Sequence, residues 1–564
     1  MFRLAFLLLA HAIFISAQQT IFLHHNLSLD SSGNILSWLP GSPGMAYAAF
    51  ATRSAYWFSH QCPLDNATGM PIYYTHGQIP FVHWPHTPAR FTSWGAEAGS
   101  ALAAYNGDLS LIHAISLPHS RFIAGPNGTV PSGWAWAGAA FASSDPGQLT
   151  YRGADSAAYT ADRPICTPGH QCPGDGLNCT EPDKAAHVGL GYARLYMITN
   201  DTAQLAAALA AADALLRNEV TSPNASHSPW PFRVRADTGG VVEAYTSSVT
   251  DALRLFDALA VISRVGGASL VPHAVQYAAS RERVLSWLVS YPASNFFWQG
   301  IWEDVPVAST PASDPSCHTA LDAAAYVLDQ LDAGTPVPGL DALAFTRAVV
   351  DWVVDVFVFA YATPREPAVQ WGAYAVSEQE CDRNKMAFHT LHWASVAARL
   401  ANATSNATLQ ALAGLSFNWC TYVLQNDNQT LIGPVDQSNW LAVGLRMPKY
   451  AFETLAAVPS WGAPGEDHLM RSSSLVTSVS YSPDNIQYRT YDWRSTEWLQ
   501  LGACAPTGVV AGGVSLPRVR PGEGGGGSTE GWWSLGTSGD LTVFKSSSRV
   551  VIIACPRRAG GAAD

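Results

Sequence analysis

Helices alternate along this chain with connections of two lengths, and this alternation limits the folds that the chain can adopt. A loop from Ser222 to Tyr245, rich in Trp, Pro and Gly, leads into a predicted helix, Ser247 to Ser263, which a short turn joins to another, His273 to Ser290. The first helix is apolar on more than one face, as a buried helix is, and the second is amphipathic. A repeat of roughly 50–70 residues, each a loop and two helices, indicates stacked or ring-forming units.

The same unit recurs, so that about twelve helices are predicted. Alternating short and long connections place all the long loops on one rim of antiparallel helix pairs. Closed into a ring, six such hairpins form an (α/α)6 toroid whose inner helices follow the long loops. The predicted helices span residues 44–60, 94–105, 109–122, 184–198, 202–218, 247–263, 273–290, 317–331, 340–359, 386–400, 406–424 and 449–457, the last after a long loop from Asp427 to Pro448.

The sequence pattern changes at His468. Apolar and polar residues alternate with a period of two around Leu475 to Tyr481 and Ile486 to Thr490, and apolar, β-branched runs follow at 541–544 and 550–554. Such patterns predict β-strands. The predicted fold class is therefore mainly α, with an (α/α)6 toroid over residues 18–466 and a small β-sandwich over residues 467–564.

Residues 1–17 have the pattern of a secretory signal peptide. Arg3 supplies the positive start, Leu4 to Ile15 the apolar run, and Ile15-Ser-Ala17 a small-residue cleavage site. A spanning helix needs about 20 apolar residues, more than this run offers, so we expect secretion rather than a membrane anchor. Nine Asn-X-Ser/Thr acceptor patterns agree with an extracellular glycoprotein; they begin at Asn26, Asn66, Asn127, Asn178, Asn200, Asn224, Asn402, Asn406 and Asn428.

The composition is that of a globular protein, with 48% hydrophobic and 13% charged residues. The formal charge of −12 and the absence of a basic stripe argue against a nucleic-acid partner. We expect a monomer that needs no cofactor.

The nine cysteines should mostly pair in a secreted chain, and their odd number leaves one over. Cys504 and Cys555 are the preferred pair because both lie in the C-terminal section. Cys166, Cys172 and Cys179, with a nearby His, could form a zinc site. A disulfide-tied loop is favoured in this compartment, so no metal site is predicted.

The predicted long-loop rim is rich in aromatic residues. Aromatic faces stack on sugar rings, and carboxylates and arginines hydrogen-bond hydroxyl or uronate groups. A single Trp is better explained by core packing, but the set in loops broken by Pro and Gly favours a carbohydrate cleft. The predicted substrate-binding residues are Trp230, Arg233, Arg235, Tyr245, Trp298, Trp302 and Trp371.

Glycoside hydrolysis needs two carboxyl groups on either side of the scissile bond. The rim offers Asp175 or Asp183 as one member of the pair and Glu303 or Glu378 as the other. A carboxylate at such a place can also be a helix cap or a surface charge. Asp183, for example, is placed to cap the helix that begins near Lys184.

The segments Asp175-Gly-Leu-Asn178 and Gly191-Tyr-Ala-Arg-Leu-Tyr-Met-Ile-Thr-Asn-Asp201 resemble six-hairpin glycosidases, in particular the unsaturated glucuronyl hydrolases. In that family an Asp that opens an inner helix is the general acid/base, a role the resemblance gives to Asp175. Here Cys179 to Asp183 separate this Asp from the helix, so that Asp183 is the alternative.

A wider resemblance covers nearly the whole mature chain. Segments including Trp230-Pro-Phe-Arg-Val234, Glu303-Asp-Val305 and Glu466-Asp-His-Leu-Met-Arg-Ser-Ser-Ser474 are similar to a family of secreted six-hairpin proteins with a C-terminal β-domain. This resemblance implies the fold rather than the reaction.

Three functions stay open from the sequence. A secreted glycoside hydrolase with a carboxylate pair is preferred. A polysaccharide lyase would instead use Tyr245 or His389 as the base and Arg233 or Arg235 to neutralise a uronate. A glycan-binding protein without catalysis is the third. His389 and His392, three residues apart, could bind a metal, but a buried hydrogen-bonded pair is the preferred interpretation.

Overall fold

The computed structural model describes residues 25–41, 43–64, 78–79, 87–116, 129–139, 179–300, 315–364, 366–379, 383–433, 439–519, 530–535 and 540–555. Several predictions fall outside these residues. They are the signal peptide, Asp175, Glu303, Trp302 and most of the cysteine-rich segment that could bind zinc.

Twelve α-helices run through the described residues. They are α1 Pro43–Tyr56, α2 Thr87–Asn106, α3 at 110–116, α4 Pro182–Thr199, α5 Thr202–Arg217, α6 Thr250–Gly266, α7 Ala274–Leu288, α8 Cys317–Asp332, α9 Ala342–Val353, α10 Ala387–Thr404, α11 Ala407–Thr421 and α12 Leu441–Ala457. Most of their bounds lie close to those predicted, but α2 begins at Thr87 rather than at Trp94 and α12 also begins earlier than predicted. Short π-helical turns extend α1, α7 and α9 over Trp57–Gln61, Val289–Ala293 and Val354–Ala360.

The even-numbered helices form a closed inner circle. Helix α2 packs on α4, α4 on α6, α6 on α8, α8 on α10, α10 on α12, and α12 again on α2. Helices α5, α7, α9, α11 and α1 pack outside this circle, against α4, α6, α8, α10 and α12 respectively. The predicted (α/α)6 toroid is therefore confirmed, and the inner helices are those that follow the long loops.

The start of the last inner helix was predicted wrongly. Helix α12 begins at Leu441 rather than at Lys449, so the end of the predicted loop Asp427 to Pro448, from Leu441 onward, is helical. Pro448 misled the prediction because proline usually ends or kinks a helix. Here packing against α2 and α10 keeps the helix continuous through Pro448. The correction matters because Arg446 lies in the newly assigned first part of helix α12.

The predicted β-sandwich is also confirmed. One sheet has the strand order β13-β12-β16-β10-β9 and the other β14-β15-β11-β8, and their apolar side chains share one core. A disulfide joins Cys504 to Cys555, as predicted. The strands are β8 Asp467–Ser472, β9 Val476–Tyr481, β10 Asn485–Thr490, β11 Ser495–Leu501, β12 Gly508–Ala511, β13 Val514–Ser515, β14 Gly531–Leu535, β15 Asp540–Lys545 and β16 Val550–Ala554.

The sandwich covers the rim of the toroid at which the inner helices end. His468 on β8 contacts the carbonyl of Tyr105 with its Nδ1 atom at 2.9 Å, and the hydroxyl of Tyr481 on β9 donates to the carbonyl of Ala104 at 3.0 Å. Both carbonyls lie at the C-terminal end of α2. The N-terminal ends of the inner helices and the long loops therefore lie at the opposite rim.

Short strands tie the long loops together at that opposite rim. The loop before α4 contributes β2 (Cys179–Thr180), which pairs with β3 (Arg233–Arg235), and β3 pairs in turn with β4 (Val241–Glu243). Two further pairs join β1 (Gln78–Ile79) to β7 (Asn439–Trp440) and β5 (Val369–Gln370) to β6 (Ala373–Tyr374). Among the described residues, every helix is too short or too polar to cross a membrane.

Close approach of α2 and α4 requires a glycine. A Cβ atom added to Gly191 on α4 would lie 2.9 Å from the Cα atom of Ser93 on α2, and backbone cannot move aside as a flexible side chain can. We expect Gly191→Ala to lower the free energy of unfolding by about 1–3 kcal/mol, as overpacking does. Denaturant unfolding measures this change. Gly508→Ala, where the added atom meets nothing within 4 Å, is the control, and an equal loss in both variants would contradict the prediction.

Candidate active site

A buried arginine from α12 crosses the axis of the toroid and joins its opposite walls. The Nε atom of Arg446 lies 3.1 Å from Oε2 of Glu97 on α2, and Nη2 lies 3.1 Å from Oδ1 of Asp322 on α8. Its Nη1 atom lies 3.0 Å from the Nε2 atom of His318, also on α8. Since Arg446 has no exposed surface, these contacts replace its hydration.

Glu97 is held ionised by three cations. Besides Arg446, Nη1 of Arg194 lies 2.6 Å and Nζ of Lys449 3.4 Å from its Oε1 atom. Burial alone would raise the pKa of Glu97, but Lys449, Arg446 and Arg194 together hold it well below its ordinary value. We call Glu97, Asp251, Arg254, Asp322 and Arg446 the axial cluster.

Asp322 is the second ionised carboxylate of the axial cluster. Its Oδ2 atom lies 3.0 Å from Nε2 of His318, and its Oδ1 atom lies 3.5 Å from Nε2 of His392 on α10. Burial opposes its ionisation, but Arg446 and the two histidines hold its pKa well below the ordinary value. Burial also lowers the pKa of His318 and of His392, which keeps both imidazoles neutral.

The pKa of Asp251, in the first turn of α6, is shifted in the opposite direction from that of Asp322. Burial raises its pKa, and the negative charge of Asp322 raises it further, against the weaker opposing effect of Arg446 and Arg254. Nη1 of Arg254 and Nε2 of His187 each lie 4.0 Å from a carboxylate oxygen of Asp251. The axial cluster thus pairs a carboxyl that tends to keep its proton with one that does not.

An unused donor and an unused acceptor face each other at this point. Among the described residues, neither Oδ1 of Asp251 nor Nη1 of Arg254 has a hydrogen-bond partner, although both atoms are buried. They lie 4.0 Å apart, too far for a direct hydrogen bond. A hydroxyl group or a water molecule between them would accept from Arg254 and donate to Asp251.

Aromatic rings surround the axial cluster on the side of the long loops. Trp94 on α2 contacts the imidazole of His187, with ring centroids 5.8 Å apart, and the ring of Phe388 at 5.7 Å. Phe388 packs on His318 at 5.3 Å, and Tyr450 stacks on His392 at 4.2 Å. The axis therefore combines ionisable groups with apolar ring faces.

Two of the predicted site residues meet at the start of α4. Asp183 lies in the first turn, where its Oδ1 atom accepts from its neighbour's backbone N–H, that of Lys184, at 2.8 Å. Glu181 forms an ion pair with Lys184 and lies 3.7 Å from the buried Arg233 on β3. Arg233 also contacts Glu243 at 3.6 Å. The structure thus brings Asp183 and Arg233 to one end of an inner helix, each among partners of its own.

Two other predicted residues meet at the start of α8. The Sγ atom of Cys317 lies 3.5 Å from Nδ1 of His389 on α10 and donates to the carbonyl of Glu378 at 3.8 Å. All three residues are buried. Burial raises the pKa of the Cys317 thiol and lowers that of His389 well below its ordinary value, so that both groups are neutral. His389 also lies beside the axial cluster, since its ring centroid is 6.1 Å from that of His318.

The predicted substrate-binding aromatic residues take part in packing. Trp230 is in the hydrophobic core and its indole donates to the carbonyl of Leu215 at 2.9 Å. Trp298 is buried against Phe345. The hydroxyl of Tyr245 donates to the carbonyl of Phe297 at 2.9 Å, and burial raises its pKa. Trp371, at a φ of +50°, packs partly buried on the same core.

Arg235, by contrast, lies at the surface. Its guanidinium pairs with Asp237, Nη2 to Oδ2 at 2.7 Å, and 44% of its side chain is exposed. Arg233, two residues earlier on the same strand, is fully buried. Residues two apart on a regular strand share a face. The strand register is irregular between Arg233 and Val234, and the two arginines, which the sequence analysis had given one role, differ in exposure.

The sequence analysis missed the whole axial cluster. A usable signal was present, because charged residues are almost never buried without partners. Asp322 stands in the apolar run Leu321 to Ala325, Glu97 among small residues, and Asp251 at the head of a predicted inner helix that is apolar on more than one face. Ionisable residues on helices that are predicted to be buried therefore indicate which positions line the axis. Among the described residues, no group of three His, Cys, Asp or Glu side chains is arranged to hold a metal ion.

Removal of the Arg446 guanidinium should strongly destabilise the protein. Arg446→Met leaves Glu97 and Asp322 buried without their shared cation, a change that costs about 3–5 kcal/mol. Arg347→Met, on the outer helix α9 and 3.9 Å from the exposed Asp351, is the matched control and should cost less than about 1 kcal/mol. Urea unfolding compares the two. Equal losses of stability in both variants would show that the axial ion pairs stabilise the protein no more than an exposed ion pair does.

No protein-family model matches the sequence, and no curated protein is similar to it. Solved structures are similar to it, among them cellobiose 2-epimerase from Spirochaeta thermophila, at 11% identity and a TM-score of 0.46 over 73% of this chain and 99% of that one. A D-mannose isomerase has 13% identity and a TM-score of 0.47 over 74% and 100%. An unsaturated glucuronyl hydrolase specific for heparin has 7% identity and a TM-score of 0.40 over 73% and 96%. These structures are six-hairpin, glycosidase-like enzymes, and the similarity is one of helix arrangement alone.

Proposed function

We propose that this protein is a secreted carbohydrate-active enzyme, a glycoside hydrolase that works with Asp251 and Asp322. The observation that carries the proposal is the pair of buried carboxyls whose pKa values are driven in opposite directions. Such a divergence assigns acid and base roles in sites that cleave glycosidic bonds. Neither residue was among those chosen from the sequence.

The two carboxyls have complementary tasks in this proposal. Asp251, which keeps its proton, donates it to the oxygen of the leaving group as the glycosidic bond breaks. Asp322, which stays ionised, supplies the negative charge that stabilises the positive charge developing on the sugar ring. A water molecule then adds to the ring carbon as its proton passes to the Asp251 carboxylate, which completes the hydrolysis and restores the acid. Arg446, His318 and His392 fix the position of Asp322, so that its charge is in place before the reaction begins.

The unused polar pair supports a sugar as the substrate. A sugar hydroxyl both donates and accepts, so that a single hydroxyl satisfies Asp251 Oδ1 and Arg254 Nη1 across their gap of 4.0 Å. Trp94 and Phe388 supply apolar faces nearby for the carbon side of the ring. The arrangement therefore offers the mixture of polar and aromatic contacts that carbohydrates need.

A polysaccharide lyase is the second candidate, and one observation favours it. His318 is neutral because burial lowers its pKa, and it lies 3.0 Å from the guanidinium of Arg446. A neutral imidazole can take a proton from the carbon next to a uronate carboxylate, while an arginine neutralises that carboxylate. In this reaction His318 takes the place that the sequence analysis gave to Tyr245 or His389.

Substitution of the proposed acid should abolish hydrolysis. We expect Asp251→Asn to lower kcat by at least about 100-fold, because general acid catalysis contributes that much or more. In the wild-type enzyme the rate should fall as the pH rises through the raised pKa of Asp251, since the proton is then lost. It should also fall at low pH, where Asp322 becomes protonated. Release of the leaving group from aryl glycosides and from unsaturated uronate oligosaccharides measures both.

Asp213→Asn is the matched control, because Asp213 lies on the outer helix α5 and pairs with His273 at 2.8 Å. It should leave the rate unchanged. Full activity of Asp251→Asn would refute the hydrolase mechanism. If uronate polymers instead yield unsaturated products, and His318→Asn rather than Asp251→Asn stops their formation, the enzyme is a lyase. Glycan binding without turnover in the wild-type protein would refute both.

A further inference from the structure

A cavity lies next to the axial cluster, between the toroid and the β-sandwich. It has a volume of about 340 Å³ and is bounded above by Glu97 and Arg254 of the axial cluster. Its floor is the turn between β8 and β9, residues 471–476 of the sandwich. We call this cavity the lower chamber. Ligand sites in proteins begin at about 300 Å³, so its volume is sufficient for a small molecule.

The walls of the lower chamber carry charges of both signs in nearly equal number. The cations are Arg194, Arg254, Lys449 and Arg471, and the carboxylates are Glu97, Asp257, Asp329, Glu453 and Asp492. Most are already paired, as Arg471 is with Asp329 at 3.1 Å. An ionic ligand would bring a charge without a free partner into this wall. A neutral ligand with many hydroxyl groups can instead donate to the carboxylates and accept from the arginines.

The remaining wall of the lower chamber is apolar and includes an aromatic ring. Phe452, Met470, Ala101, Ala258 and Val261 line it. Sugars and cyclic polyols have this two-sided chemistry, since hydroxyl groups surround faces of C–H bonds.

We infer that the lower chamber binds a neutral polyol of monosaccharide size, held between the inner helices and the β8–β9 turn. The site is separate from the Asp251–Asp322 pair and does not depend on the reaction proposed for that pair. The ligand can come from the medium or be a product of the enzyme, and both have the same recognisable chemistry. Because β8 and β9 form the floor, the ligand also joins the two domains.

Titration calorimetry on the full chain tests this inference with five probes: D-glucose, D-mannose, D-galactose, L-rhamnose and myo-inositol. We expect saturable binding of at least one. Ala258→Phe puts a benzyl group into the lower chamber and should weaken that binding at least about tenfold. Ala260→Phe is the matched control, because Ala260 is exposed on the same helix, and it should bind as the wild type does. If Ala258→Phe does not fold, Ala101→Phe on the facing helix α2 replaces it.

Three results would overturn the inference. None of the five probes binds saturably, or the variant with the blocked chamber binds as the wild type does, or glucuronate or glucosamine binds more tightly than every neutral probe. Hydrogen exchange gives an independent readout, since a bound ligand should slow exchange of amides 471–476. We expect Asp251→Asn to lose turnover and to keep this binding. If turnover is kept, only the hydrolase proposal fails. If turnover is lost but no probe binds to the wild-type protein, only the inference about the lower chamber fails.

The source of the ligand follows from the same variants. If the ligand is a product, a sugar that the enzyme releases should bind to the wild-type protein and to Ala260→Phe and should bind more weakly to Ala258→Phe. A sugar from the medium should bind whether or not the enzyme releases it from its substrates.

Discussion

The buried guanidinium of Arg446 is the interaction on which the interior of this toroid depends. Six helices that form a closed circle leave an axis that must be filled, either by apolar side chains or by polar groups that satisfy one another. Here α2 and α8 each bring a carboxylate to the axis, and Arg446 on α12 lies between them. Without it, two negative charges would remain in a region from which water is largely excluded.

The same arginine explains why the two carboxyls near the axis differ. Arg446 contacts Asp322 directly at 3.1 Å, whereas Arg254 and His187 stay 4.0 Å from Asp251. Arg446 and Arg254 lower the pKa of Asp251, but burial and the charge of Asp322 raise it by more. Once Asp322 is ionised, a second negative charge on Asp251 would be repelled in a medium of low dielectric constant. Two chemically identical side chains therefore have pKa values that are shifted in opposite directions.

Much of the fold could be predicted from the sequence because it rests on local signals. The alternation of long loops and short turns, and the change to period two after His468, each lie within a few tens of residues. Ionisable residues on apolar helices do mark the axis, but which of them meet there has no local signal, since Glu97 and Arg446 are separated by most of the toroid domain. Trp230 and Trp298 were predicted to bind substrate but lie in the hydrophobic core. Pro and Gly around them indicate a loop, but these residues do not show whether the indole faces the axis or packs between hairpins.

The direction of the inner helices adds a field along the axis to these local contacts. All six follow long loops, so they run parallel and their N-terminal ends lie at one rim, where the helix dipoles favour negative charge. Asp183 and Asp251 lie in first turns at that rim. At the opposite rim Arg399 and, from the sandwich, Arg471 contact Asp329 and Asp332 near the end of α8.

A dipole contributes about 0.3–1 kcal/mol per charge near an exposed terminus. It favours the ionised form of Asp251, yet burial and Asp322 prevail and the pKa is raised. The pKa of Asp251 is thus raised against the field of its own helix, by burial and by the charge on Asp322, which Arg446 stabilises across the axis.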